Sequence, residues 1–198
     1  MNKPTFTIQD SMQRKIKYEN YKFIFENNIY VSLWQFAFET GLYQKFNNDY
    51  FFTVYWKFND IEHKITFPNR NAHFLVDPNS NLIICRWFIT DDQLTDITHF
   101  LNMDGTINHK LKLPEVVYCR LEDGLKIPYK PLVPSATDDM TKIGSFPVED
   151  IPATMNFDEE LNSLVGQYYY IYDWILYRKY DAIRQEWGDI VGHSGHAG

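Results

Sequence analysis

Cysteine is scarce: the 198 residues hold only Cys85 and Cys119. Both sit in apolar runs, LIICRWF and VVYCRL, and their spacing fits neither a disulfide framework nor a zinc motif. They are expected as reduced core residues. No apolar run reaches the ~18 residues that a membrane-spanning helix requires. The opening MNKPTFTIQD contains no apolar stretch, so no secretory signal is expected. Positive charge is also in short supply: 19 Lys and Arg stand against 26 Asp and Glu, a formal net charge of −7. A nucleic-acid binder needs a basic stripe to displace counterions from phosphates, and docking on anionic lipid needs the same. Neither partner is expected. An acidic surface fits solubility, or a basic protein partner. The chain has no P-loop, GxGxxG, GxSxG, HExxH or CxxC.

Aromatic residues are abundant, with 14 Tyr, 15 Phe and 5 Trp making 17% of the chain. That supply can build a core and still leave rigid aromatic area for interfaces. The stretch Asp158 to Trp187 is free of proline. In it Leu161, Leu164, Val165, Tyr168, Ile171, Tyr172, Ile175, Leu176, Ile183 and Trp187 keep the 3-4-3-4 spacing of a helix with one buried face. Asn156 or Asp158 could cap it, and Asp158, Glu159 and Glu160 suit the positive end of its dipole. Gly166 would weaken such a helix. Tyr169, Tyr170, Trp174 and Tyr177 fall off the main stripe. These four are the candidate interface residues, on a second face that meets either the same fold or another subunit.

Elsewhere the pattern is mostly that of strands. Residues 1–20 are polar and read as an arm or short helix. Tyr21–Phe25 reads as a strand, with Asn27-Asn28 as a turn. Residues 29–46 are ambiguous, and a helix over 32–46 with Ser32 as its N-cap is favoured. DYFFTVYWKF at 49–58 alternates, as does 61–67, and Asn59-Asp60 between them tolerates positive φ, which predicts a tight hairpin. Strands at 73–76 and 82–89 flank the turn DPNSN. Thr90 with Gln93 forms a capping box for a short helix over 91–101. Another strand is expected over 111–120. The expected class is α+β: a mostly antiparallel sheet of hairpins, a capped short helix and one long C-terminal helix. Residues 1–124 form the hairpin domain and 125–153, marked by Pro128, Pro131, Pro134, Pro147 and Pro152, an extended connector. Residues 154–187 add a strand and the long helix, and 188–198 a Gly/His tail.

Candidate chemistry is thin. Asp77, Asn79 and Asn81 spell the opening of a calcium loop. However, Leu82 stands where its glycine should be and Phe88 where its glutamate should be, so a turn is expected. Asp92, Asp96 and His99 would share one face of the short helix, where a metal, a shared proton or plain solvation could explain them. His193 and His196 form an H-x-x-H pair in a glycine-rich tail, a poor preorganised site. Glu62-His63 and His73 lie near strands without an acid–base partner. No nucleophile–base pair is visible, so no catalytic, cofactor-binding or metal-binding residue is assigned, and no cofactor or small molecule is inferred.

Residues 151–176, IPATMNFDEELNSLVGQYYYIYDWIL, resemble a segment of the tail-tube and baseplate-tube proteins of contractile-tailed bacteriophages. Those proteins run a strand into an acidic turn and then a helix ending in an aromatic-Asp-Trp-hydrophobic element. Here Thr154–Phe157 would be the strand, Asp158-Glu159-Glu160 the turn and Tyr172-Asp173-Trp174-Ile175 the helix end. In that family further strands follow the helix; none is expected here. The resemblance implies a virion structural protein of the tail, neck or baseplate. It would work by assembly with copies of itself or with other virion proteins, and would be made in a host cytoplasm. Two alternatives remain open at this point. One is an acidic immunity or antitoxin-like protein of the bacterial cytoplasm that binds a basic toxin; the other is a small enzyme with a divergent site.

Overall fold

The computed structural model describes residues 4–41, 51–68, 72–86, 88–90, 93–95, 97–121, 128–149, 154–170 and 174–195. They contain nineteen strands and a single seven-residue α-helix, so the expected α+β class is overturned by a nearly all-antiparallel β architecture. The chain divides into two compact units, Met1–Leu111 and Lys112–Gly198.

The first unit is built on β1 (Phe6–Asp10), β2 (Lys15–Glu19), β3 (Lys22–Phe25), β4 (Asn28–Tyr30), β5 (Phe52–Phe58) and β6 (Ile61–Phe67), in the sheet order β4-β3-β2-β1-β5-β6. Alternation sets its faces. Phe52, Val54 and Trp56 are buried while Tyr55 and Lys57 point out, and Phe52 pairs with Phe67 and Val54 with Ile65. Ile8 lies between Ile16 and Val54 on neighbouring strands, and all three are fully buried. The Asn59-Asp60 hairpin forms as expected, with φ of 50° and 65°. Two further hairpins turn the same way, at Asn20-Tyr21 and Glu26-Asn27. The second therefore lies one residue before the expected Asn27-Asn28, because Phe25 pairs with Asn28.

A single helix, α1 (Leu33–Glu39), follows β4. Ser32 caps it as expected, its hydroxyl accepting the Gln35 N–H at 3.0 Å. The helix stops short of the anticipated Phe46: the Thr40 hydroxyl bonds the Phe36 carbonyl at 2.6 Å, and Gly41 takes φ of +71°. Residues 42–46 of the expected helix lie outside the described residues.

The unit continues with β7 (His73–Val76), β8 (Ile83–Arg86), β9 (Phe88–Thr90), β10 (Gln93–Thr95), β11 (His99–Leu101) and β12 (Ile107–Lys110). They form a β12-β11-β8-β7 sheet and a β9–β10 ribbon. The short helix expected over 91–101 does not exist. Gln93–Thr95 and His99–Leu101 are strands, and Asp91, Asp92 and Asp96 lie outside the described residues. The physical reason is tertiary. His99, Phe100 and Leu101 are buried together in a strand paired on both sides, with β8 and β12, an environment that selects a continuous apolar run over a one-sided stripe. Asp77 closes the β7–β8 turn, its carboxylate accepting the Asn79 and Ser80 N–H groups at 3.2 and 3.1 Å. The calcium-loop echo is therefore a turn, as expected.

Two buried imidazoles make this unit sensitive to pH. Burial lowers the pKa of His99 from its ordinary 6.5, although its Nδ1 lies 2.9 Å from the Ile97 carbonyl. Burial does the same to His109, whose ring stacks on Phe100 at 4.2 Å. Both stay neutral in the fold where the unfolded chain would take up protons. Stability is therefore complete above the unfolded value and falls as pH drops below it. The melting temperature should decline between about pH 7.5 and about pH 5.5. His109→Phe, which keeps the stack, should flatten that decline; an unaltered slope would count against the assignment.

The second unit opens with β13 (Val116–Leu121), which pairs with β14 (Pro128–Leu132) on one side and β15 (Ile143–Pro147) on the other. The proline-marked stretch thus contributes two strands. The long helix expected over 158–187 is replaced by a meander of β16 (Thr154–Asp158), β17 (Ser163–Tyr170), β18 (Trp174–Asp181) and β19 (Glu186–Ser194), ordered β16-β17-β18-β19. Cys85 and Cys119 are both free and fully buried.

Candidate contact surface

Two loops of the four-stranded meander, those between β16 and β17 and between β18 and β19, are each closed by an aspartate. Asp158 accepts the Leu161 N–H at 2.9 Å, and Asp181 accepts the N–H groups of Ile183 and Arg184 at 2.9 Å each. Each loop ends on a left-handed residue, Asn162 (φ 45°) or Gln185 (φ 60°), before the next strand begins. An aspartate capping one turn resembles a helix N-terminus in sequence, but here the turn closes a hairpin.

The strands sort their side chains onto two faces. On β17, Leu164, Gly166, Tyr168 and Tyr170 are buried, and Val165, Gln167 and Tyr169 are half-buried on the opposite face. Cross-strand pairing carries this to β18: Tyr168 lies opposite Leu176 and Tyr170 opposite Trp174, while Tyr169 lies opposite Ile175 and Gln167 opposite Tyr177. The four candidate interface residues therefore divide. Tyr170 and Trp174 belong to the inner face, and Tyr169 and Tyr177 to the outer one. Val165, Tyr169, Ile175 and Tyr177 make a half-covered apolar strip across two strands, the kind of surface that aromatic contacts use.

Glycines shape the inner face. A Cβ on Gly166 would lie 2.4 Å from Trp187, whose ring fills that notch. Trp187 meets Tyr168 and Tyr180 edge-on, both with ring centroids 5.1 Å away, and donates its indole N–H to the Lys112 carbonyl at 2.8 Å. The Trp174 ring similarly covers Gly195. The hydroxyls of Tyr168 and Tyr170 are buried without a hydrogen-bond partner of full geometry. Burial raises the pKa of both phenols, with the Arg178 guanidinium lying beside Tyr168 and the Cys119 thiol beside Tyr170. Burial pushes the Cys119 thiol up to about 11, which keeps it unreactive as a nucleophile.

The outer edge belongs to β19, nine residues long. Two register shifts along β18 give it extra residues. Arg178 fills the resulting gap: its Nε and Nη2 donate to the Gly188 carbonyl at 3.0 and 2.7 Å, and Nη2 to the Trp187 carbonyl at 3.2 Å. The first half of the edge is thus bulged and occupied. From Gly192 to Ser194 the ladder is regular, and β19 has no strand hydrogen-bonded on its other side among the described residues. Such an edge offers backbone donors and acceptors to a further strand.

The other sequence candidates that fall among the described residues lie apart from one another. His193 lies on β19 with its ring 6.4 Å from Trp174, and His196 lies outside the described residues. His99 is committed to the core. His63 stacks on Trp56 at 5.4 Å. No group of three or more His, Cys, Asp or Glu positioned to hold a metal occurs among the described residues. No helix among them is long and apolar enough to cross a membrane. Comparison of the chain with protein-family models, with curated proteins and with solved structures gave no match.

Proposed function

We propose that this chain is a non-enzymatic assembly protein, a structural component of a bacteriophage particle (tail, neck or baseplate), acting through subunit contacts made by its C-terminal sheet. The observation that carries the reading is the conjunction on β17–β19 of a half-covered apolar strip with the regular, unpaired end of an edge strand. A second subunit joining there would cover the strip and extend the ladder together. Of the resemblance of residues 151–176 to tail-tube proteins, the strand at 154–158 and the acidic turn remain, whereas the helix it implied is replaced by β17 and β18; the aromatic content suits the reading. Partners on this reading are copies of the chain or other virion proteins.

Size-exclusion chromatography with light scattering tests this on the full chain, alone and mixed with candidate virion proteins. Assemblies should form, and Tyr169→Ala with Tyr177→Ala should abolish them while costing only about 1 kcal/mol of folding stability each. Trp174→Ala, on the inner face, should instead lower the melting temperature. The net charge of −7 favours one other reading, an immunity-like protein bound to a basic toxin. A tight one-to-one complex with such a toxin, with no self-assembly, would overturn the virion proposal.

A further inference from the structure

The outer edge of β19 carries enough detail to name its partner, on the premise that this chain works by assembly. Every other sheet edge of five residues or more among the described residues is blunted. Strand β6 carries Glu62 and Lys64, β14 has Pro128, Lys130 and Pro131, β15 ends in Pro147, and β16 ends in Asp158. Charge and proline on an edge keep the strands of other chains away. The first half of β19 follows the same rule. Glu186 and Asp189 lie there, the ladder is bulged, and Arg178 holds the Trp187 and Gly188 carbonyls. The second half does not: residues 190–195 include no proline and no Asp, Glu, Lys or Arg. Residues 132–134 share a hollow with Ile190, but His193 and Ser194 are exposed. The regular ladder covers Gly192, His193 and Ser194, which lie opposite Tyr177, Leu176 and Ile175.

In a second copy, the same sheet offers two edges to pair with, β16 and β19. Charge disfavours β16. It runs through Asp158 into Glu159 and Glu160, so an antiparallel β16 laid along β19 would bring these acids to Glu186 and Asp189. Self-pairing of β19 avoids this. A two-fold axis at His193 sets Gly192 opposite the partner's Ser194, and leaves the acids of each strand beyond the other strand's last residue. Gly192 and Ser194 are small and share the outer face with Tyr177 and Ile175, so nothing bulky stands at the seam. Tyr177 already leans over Gly192, where a Cβ would lie 3.6 Å from its ring, and from there it reaches across the seam. On the inner face His193, stacked on Trp174 at 6.4 Å, would meet its own copy. A contact of this kind uses the same patch twice and is closed by two subunits.

We infer that the partner is a second copy of this chain, joined through β19 in antiparallel sense about a two-fold axis at His193, so that the two C-terminal meanders form one continuous sheet. Sedimentation of the full chain, with charge variants at His193, tests it. His193→Lys or His193→Glu alone sets like charges face to face and should weaken the dimer about tenfold or more. The melting temperature of each should hold, because the side chain is exposed. An equimolar mixture of the two should restore the dimer, since opposite charges then meet across the axis. Cross-linking gives a second readout. His193→Cys should join two copies by a disulfide on mild oxidation, whereas Asp189→Cys, away from the axis, should not; the native Cys85 and Cys119 are buried. Self-assembly without rescue in the mixture, or without a link at residue 193, overturns this pairing and leaves the assembly reading standing. A chain that stays monomeric alone but joins other virion proteins does the same. A chain that joins nothing overturns both.

Discussion

Asp10→Ala should destabilise the N-terminal unit by about 3–5 kcal/mol, the scale of breaking a buried ion pair from one side. The Asp10 side chain is fully buried, and its carboxylate satisfies a whole turn. Oδ1 accepts the N–H groups of Met12 and Arg14, each at 2.9 Å, and Oδ2 accepts Arg14 Nε and Nη2, each at 2.6 Å. The guanidinium then lies over the rings of Phe25 and Phe36, at 5.4 and 5.6 Å from their centroids. Removing the carboxylate strips these donors of their acceptor and leaves a cation above an aromatic floor. Arg14→Met should cost a similar amount, by stranding the carboxylate. The double variant should cost clearly less than the sum, since neither orphan charge remains. Urea denaturation, with hydrogen exchange to locate the transition in β1–β6, measures all three. A single-variant cost below about 1 kcal/mol would show the pair to be a surface-like contact.

Gly166→Ala should be the most damaging single methyl in the C-terminal unit, at about 2–3 kcal/mol, the upper range for overpacking. The new carbon would meet two carbons of Trp187 at 2.4 and 2.6 Å and the Met155 sulfur at 2.8 Å. Trp187 cannot retreat freely, because its indole N–H is bonded to the Lys112 carbonyl and its ring is wedged between Tyr168 and Tyr180. Trp187→Leu opens the notch and should absorb the methyl. In that background Gly166→Ala should cost little, a coupling that a double-mutant cycle reads directly. Equal costs in both backgrounds would mean that the glycine acts through backbone freedom instead of through the ring it admits.

Gly166 also shows where sequence reading succeeds and where it fails. The residues chosen for a helical stripe over 158–187 include Leu164, Tyr168 and Leu176, and Tyr180 continues the interval; all four are buried. Spacings of four satisfy a helix, but any even spacing also satisfies a strand, so the stripe could not distinguish them. The deciding signals were Tyr170, buried two residues after Tyr168, and the β-favouring run Tyr168-Tyr169-Tyr170. The acidic DEE turn is a true capping turn that simply does not propagate. At 91–101 the capping box was misleading because burial on both sides of β11 outweighed it. The hairpin at 52–67 was legible because alternation and turn residues agreed. Of the candidate interface, Tyr169 and Tyr177 could not be separated from Tyr170 and Trp174 without the strand register.

The order β4-β3-β2-β1-β5-β6 has a kinetic meaning. Each neighbour from β4 to β1 is reached through a short connection, as is β5 to β6, so these two pieces can form from local contacts at little loop-closure cost. Only the β1–β5 seam joins residues far apart in the chain, with Phe6 opposite Trp56 and Asp10 opposite Phe52. Until that seam closes, Ile8, which later sits at the centre of the core, lies on the open edge strand β1, with Asp10 and Arg14 beside it. The buried ion pair at the end of β1 thus sits where the slowest pairing of the sheet has to be completed.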